Sequence, residues 1–140
     1  PDVVLLDRHM PAMSGDEVLT RLRERDVESR VVMVTAVDPG LDVLDMPFDD
    51  YLSKPVERAD LLAVVDQQCQ VLAYELLGEY FRLESTRAVV VSQTPEEAAG
   101  DGEIADLEAK RSAIRERIRS LLPEAEQLLS SFDGVDRGGY

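Results

Sequence analysis

The chain has 140 residues, 44% of them apolar, enough for one compact domain or one small domain with a helical extension. Its 29 Asp and Glu against 15 Lys and Arg give a net charge of −14, so a bare nucleic-acid or anionic-membrane surface would repel it and direct nucleic-acid binding is disfavoured. The lone Cys69 excludes an intramolecular disulfide and the single His9 a histidine metal cluster; with no signal peptide and no apolar run of ~20 residues to span a membrane, a reducing cytoplasm fits best.

Asp2 is followed by Val3, Val4, Leu5 and Leu6, an unbroken apolar run that predicts a strand buried on both faces. Asp7 ends it, and Pro11 and Gly15 break the chain just beyond. Ser14 with Glu17 three residues on forms a capping-box pattern opening a helix that carries Val18, Leu19 and Leu22 on one face. A second buried strand, 30–35, ends at Thr35, and a third, around Tyr51 and Leu52, precedes Lys54. In a parallel sheet such strand ends converge on one edge, where open α/β folds place their sites. A carboxylate, a hydroxyl and an amine there suit an aspartyl-phosphate site: nucleophile, hydrogen-bond donor and cation. The plain alternatives are a turn aspartate at Asp7, a solvated lysine at Lys54 and a core aromatic at Tyr51.

Between Thr35 and Lys54, the breakers Asp38-Pro39-Gly40 and Met46-Pro47 leave room for at most two helical turns. From Arg58 the pattern becomes a long helix: Leu61, Leu62, Val65, Cys69, Leu72, Leu76, Tyr80 and Leu83 recur at three- and four-residue steps to about Val91, with Gly78 as an interior weak point. Residues 94–102, closed by Gly100-Asp101-Gly102, read as a connector. Ile104, Leu107, Arg111, Ile114, Ile118, Leu121, Ala125, Leu128 and Phe132 then form a heptad seam, which Pro123 should kink or restart near Leu122. Two long amphipathic helices and a short connector predict an antiparallel, coiled-coil-like hairpin, closed on itself or paired with a second copy. The Gly- and Asp-rich end, 133–140, is expected to be a mobile tail.

Asp7-x-x-Met10-Pro11-x-x-x-Gly15, Thr35-Ala36, and Tyr51 three residues before Lys54-Pro55 together resemble the receiver domain of two-component response regulators over residues 1–66. The stretch Tyr74-Glu75-Leu76-Leu77-Gly78-Glu79-Tyr80-Phe81-Arg82-Leu83, with Leu107-Glu108-Ala109 and Ile114-Arg115-Glu116-Arg117, resembles the HalX domain over 67–132. The scarcity of lysine, Lys54 and Lys110 only, resembles cytoplasmic proteins of salt-loving archaea. These resemblances imply a partial flavodoxin-like, doubly wound parallel sheet followed by a helical hairpin. They imply a non-enzymatic signalling protein in which Asp7 accepts a phosphoryl group from a sensor histidine kinase, helped by Thr35, Lys54 and the switch aromatic Tyr51. Lys54-Pro55 is then expected to be cis, aiming Lys54 at Asp7. Mg²⁺ would be held by Asp7, the His9 backbone carbonyl and an acidic pair that receivers carry earlier and this chain does not contain. A parallel strand buried on both faces needs neighbours, so residues 1–66 are expected to be the C-terminal part of a receiver. A homodimer through the helical region is a further expectation.

Two rival readings accompany this one. A degenerate receiver could serve only as a structural or partner-binding helical module. Haloacid-dehalogenase-type phosphatases also place Asp, Thr and Lys after buried strands, but they need a second acid two residues after the first, where this chain has His9.

Overall fold

A computed structural model describes residues 1–36, 40–93 and 101–133. Contacts divide the chain into two units, Pro1–Cys69 and Gln70–Tyr140. The first contains β1 (Val3–Asp7), α1 (Gly15–Glu24), β2 (Arg30–Thr35) and β3 (Asp50–Ser53), followed by the start of α2 (Arg58–Gln93). The strands form a parallel sheet in the order β1-β2-β3, so the unit is α/β. A single 3₁₀ turn, Leu41–Asp45, occupies the stretch in which proline and glycine limit helix length.

Central β2 is buried on both faces: Val31, Val32, Met33 and Thr35 are all fully enclosed. β1 departs from the expectation of burial on both faces. It lies at the edge of the described sheet, where Leu6 is buried but Leu5 is 45% exposed. Leu6, Val31 and Met33 pack with Leu19 of α1, and Val4, Val18, Leu22, Met46, Phe48 and Tyr51 close around them. Strand alternation accounts for this set, since Leu6 pairs with Met33 and Met33 with Tyr51, placing all three on one face.

Arg23 ties the lower end of this sheet together. Its guanidinium donates to the carbonyls of Val27, Ser29 and Pro47 at 2.9–3.1 Å and pairs with Asp49 at 2.8 Å. Asp49 in turn accepts from the Val31 N–H at 2.6 Å and pairs with Arg30 at 3.4 Å. Arg23 thereby satisfies loop carbonyls that would otherwise lose their water without replacement.

In the second unit the C-terminal part of α2 pairs with α3 (Asp101–Leu121) and α4 (Glu126–Asp133). Ion pairs fix the direction. Arg87 meets Glu108, Glu84 meets Arg111, and the Tyr80 hydroxyl accepts from Arg115, so numbers fall along one helix as they rise along the other. The hairpin is antiparallel and closes within one chain. Its core is Leu72, Leu76, Leu77, Tyr80, Ile114, Ile118, Ala125 and Leu129. Arg111 lies 5.7 Å from the centroid of the fully buried Tyr80 ring.

Three expectations shift here. Gly102 belongs to the first turn of α3 rather than to the connector, a position where its missing side chain costs less than in a helix interior. Leu62, placed on the apolar stripe by its spacing, is exposed. The seam carries Leu129 in place of Leu128: α3 stops at Leu121, a 3₁₀ turn at Pro123–Ala125 interrupts the helix, and α4 restarts one residue out of phase. Glu126 anchors the restart, bonding Arg119 at 2.6 and 3.0 Å and Arg115 at 3.2 Å. These bonds, Arg119 foremost, lower the Glu126 carboxyl to about 2. The expected connector over 94–100, the tail over 134–140 and the Phe132 side chain lie outside the described residues.

Gly15, first residue of α1, sits against the backbone leaving β1. A Cβ there would lie 2.8 Å from the Arg8 Cα and closer still to the Asp7 carbonyl oxygen, while the Gly15 N–H donates to the Arg8 carbonyl at 2.8 Å. Gly15→Ala should therefore destabilise the fold by about 1–3 kcal/mol in chemical denaturation, because backbone rather than a flexible side chain must give way; an unchanged midpoint would refute the close approach. Leu129→Ala should cost about 2–5 kcal/mol and Leu128→Ala less than about 0.5 kcal/mol. The reverse order in thermal or denaturant unfolding would mean that Pro123 does not shift the seam.

Candidate functional site

The parallel register brings three strand ends to one rim. Asp7 pairs with Val34, Thr35 pairs with Ser53, and the Lys54 N–H donates to the Thr35 carbonyl at 2.7 Å. Lys54-Pro55 is a cis peptide. Lys54 Nζ donates to Asp7 Oδ2 at 2.6 Å, and the His9 N–H donates to Asp7 Oδ1 at 3.0 Å. Both partners of the ion pair remain open to solvent, with 44% of the Lys54 and 37% of the Asp7 side chain exposed. The Lys54 hydrogen bond, with the His9 N–H second, holds the Asp7 carboxyl below its ordinary value of 3.8. The contribution of this pair to stability is therefore present above that ordinary value and is lost as pH falls through the lowered one.

The loop between β1 and α1 fixes the carboxylate locally. Arg8, largely buried, donates from Nε to Asp16 in the first turn of α1 at 3.3 Å. Ala12 adopts a φ of 70°, and the Met13 N–H donates to the Pro11 carbonyl at 2.8 Å, which makes a strained γ-turn of the kind stored beside functional sites. Ser14 caps α1, accepting from the Glu17 N–H at 3.2 Å as the capping-box spacing predicts.

Of the four residues singled out by sequence, Asp7 and Lys54 touch. Thr35 is fully buried at the end of β2, one residue beyond the register partner of Asp7. Tyr51 is half-buried, its ring 5.6 Å from that of Phe48 and tilted by 58°. The structural partners Arg8 with Asp16 and Arg23 with Asp49 escaped sequence reasoning, because charged residues between apolar helix positions read as solvated. Cys69 is half-buried, and burial beside Asp2 and Asp66 pushes its thiol up, away from nucleophile chemistry.

The residues present do not by themselves fit Mg²⁺. Both Asp7 oxygens are already engaged, and among the described residues no three His, Cys, Asp or Glu side chains gather at one point. Mg²⁺ demands near-octahedral oxygen ligation. Also among the described residues, no helix is long and apolar enough to cross a membrane.

Comparison with known proteins follows the same division. Residues 1–66 match the model of the response regulator receiver domain and residues 70–134 that of the HalX domain. A Haloferax volcanii protein named "Putative transcriptional regulator" is 40% identical over 133 residues, covering 94% of this chain and 23% of the relative. The nitrate/nitrite response regulator protein NarL of Escherichia coli is 30% identical over 132 residues, covering 92% of this chain and 52% of NarL. Among solved structures, a CheY-like response regulator receiver domain from Methylobacillus flagellatus is 31% identical over 48% of this chain and 59% of that one, with a TM-score of 0.42. The chain thus spans about half, or less, of the length of these two curated relatives. The first relative's name is that of a regulator of transcription, so the expectation of no direct nucleic-acid contact gains no support from it. Residues 1–66 belong to the response regulator receiver family, and in this chain they are followed by a HalX domain.

Proposed function

We propose that this chain acts in a phosphorelay, with Asp7 accepting a phosphoryl group from the phosphohistidine of a sensor kinase. The Asp7–Lys54 contact at 2.6 Å carries this reading. A carboxylate held ionised by its neighbours is available to attack phosphorus. As the new P–O bond forms, the P–N bond to the kinase imidazole breaks and the imidazole keeps the bonding pair. The transferred group brings negative charge onto a carboxylate that already carries one, and the Lys54 ammonium offsets it where it develops. The Thr35 hydroxyl bonds a phosphoryl oxygen, Tyr51 follows it inward, and the shift biases β3 and the start of α2, which begins at Arg58 just past Lys54-Pro55. The helical part relays that change.

In this reading the protein is a cytoplasmic phosphoacceptor rather than an enzyme, and two copies pair through the helical region. Mg²⁺ takes part only with acidic ligands additional to Asp7 and the His9 carbonyl. The second reading is a degenerate receiver acting as a structural or partner-binding helical module.

Incubation of the natural protein with acetyl phosphate and Mg²⁺ separates the two. One hydroxylamine-labile phosphoryl group should appear by intact mass, and Asp7→Asn should abolish it while leaving the helical signal unchanged. Lys54→Ala should slow labelling roughly a hundredfold to a thousandfold, as loss of one charge-stabilising group does. Arg8→Ala should matter less, because Arg8 bonds Asp16 in the first turn of α1. Absence of labelling would favour the helical module, persistence in Asp7→Asn would move the acceptor elsewhere, and turnover of phosphate esters would restore the phosphatase reading.

A further inference from the structure

Gly78 stands in the interior of α2, where glycine is among the least favourable residues, and nothing inside the chain asks for it. Its backbone has no positive φ, and a Cβ added there would meet only the Arg82 guanidinium, at an ordinary 3.7 Å. Gly15 is the contrast, since backbone fills the place of its side chain. A helix glycine with free room beside it marks a point where a group from outside the chain comes close to the backbone.

Helical spacing puts Gly78 on the face of α2 turned away from the core residues Leu72, Leu76 and Tyr80. Tyr74 and Arg82 stand four residues before and after it, on one ridge of that face. Tyr74 is 58% exposed and Arg82 is exposed too, and neither side chain has a hydrogen bond or ion pair among the described residues. Val89, 53% exposed, continues the same face. In a chain whose acids outnumber its bases 29 to 15, an arginine without a carboxylate partner beside an exposed ring is a recognition surface left open.

Building on the pairing of two copies through the helical region, we propose that α2 of one copy crosses α2 of a second, antiparallel, with Gly78 at the crossing. Equal spacing decides the alignment. Run antiparallel, Tyr74 and Arg82 lie about 6 Å to either side of Gly78, so the ring of each copy meets the guanidinium of the other, twice over. Glu75, next to Tyr74, adds a carboxylate to the same landing place. A parallel alignment would set Arg82 against Arg82 and lose both contacts. The ridge notched by glycine lets its partner settle at the close end of the roughly 8–10 Å that separates packed helices. Such a crossing is the same patch on both copies, so it closes at two instead of propagating. With few anchors, the contact is of the weak, reversible class.

Sedimentation velocity of the natural protein across a concentration series, in salt high enough to screen the −14 charge, tests this. A reversible monomer–dimer equilibrium is expected. Tyr74→Ala and Arg82→Ala should each weaken association at least about tenfold, as truncation of anchor residues does. Gly78→Leu should abolish it while the helical circular dichroism signal stays equal or rises, because leucine is the better helix former. Exchanging the pair, Tyr74→Arg with Arg82→Tyr, should restore the association that Tyr74→Arg alone removes. A monomer at every concentration overturns the pairing of copies and this crossing with it. A dimer unmoved by Tyr74→Ala, Arg82→Ala and Gly78→Leu overturns the crossing alone and leaves pairing to another part of the helical region. Sensitivity to Gly78→Leu without recovery in the exchanged pair overturns the antiparallel alignment. Acetyl phosphate labelling of Asp7 stands or falls separately.

Discussion

The constraint on which the first unit depends is the parallel register of three short strands. Because β1, β2 and β3 run the same way and pair without bulge, Asp7, Thr35 and Lys54 arrive at one rim although Asp7 and Lys54 stand 47 residues apart in sequence. Everything local serves that meeting. Gly15 lets α1 begin against the Asp7 carbonyl, the γ-turn at Ala12 folds the intervening loop tightly, and the Arg23–Asp49 cluster secures the loops at the opposite end of the strands. A slip of one residue between β1 and β2 would turn Leu6 to solvent and carry Asp7 away from Lys54 together, so core and site share one determinant.

The second unit is organised by different physics. Charged side chains flank its narrow apolar core and pair between helices: Glu84 with Arg111, Arg87 with Glu108, Glu126 with Arg115 and Arg119. Pairs of this kind, mostly half-exposed, add little stability one by one. Their value lies in direction, since only the antiparallel alignment matches all of them while enclosing Tyr80 between Arg111 at its face and Arg115 at its hydroxyl. Specification of alignment by polar contacts and stability by Leu76, Ile118 and Leu129 is a division of labour familiar from coiled coils.

Much of this was legible in the sequence, and the exceptions have physical causes. Asp7, Gly15, Thr35 and Lys54 stand out because each follows or breaks an apolar run at a spacing that a parallel sheet converts into proximity. The exposure of Leu5 is not readable, because an unbroken apolar run looks the same whether or not both faces of the strand are covered. Leu129 was hidden behind Leu128 because a heptad count assumes one continuous helix, and the 3₁₀ turn at Pro123 inserts a phase change that spacing alone does not reveal. Arg23 was unreadable for another reason: its partners are backbone carbonyls of loops, and no residue pattern announces which side chain will reach them.

Lys54 and Asp7 form one electrostatic unit at the strand ends. Its most direct measurement is a carbon-detected NMR titration of the Asp7 carboxyl, in the natural protein and in Lys54→Met. The contact predicts a midpoint below the ordinary 3.8 that rises toward it when the ammonium is removed. A midpoint at or above 3.8, unmoved by Lys54→Met, would show that the two groups do not meet in solution, and the phosphoacceptor site built on them would fall.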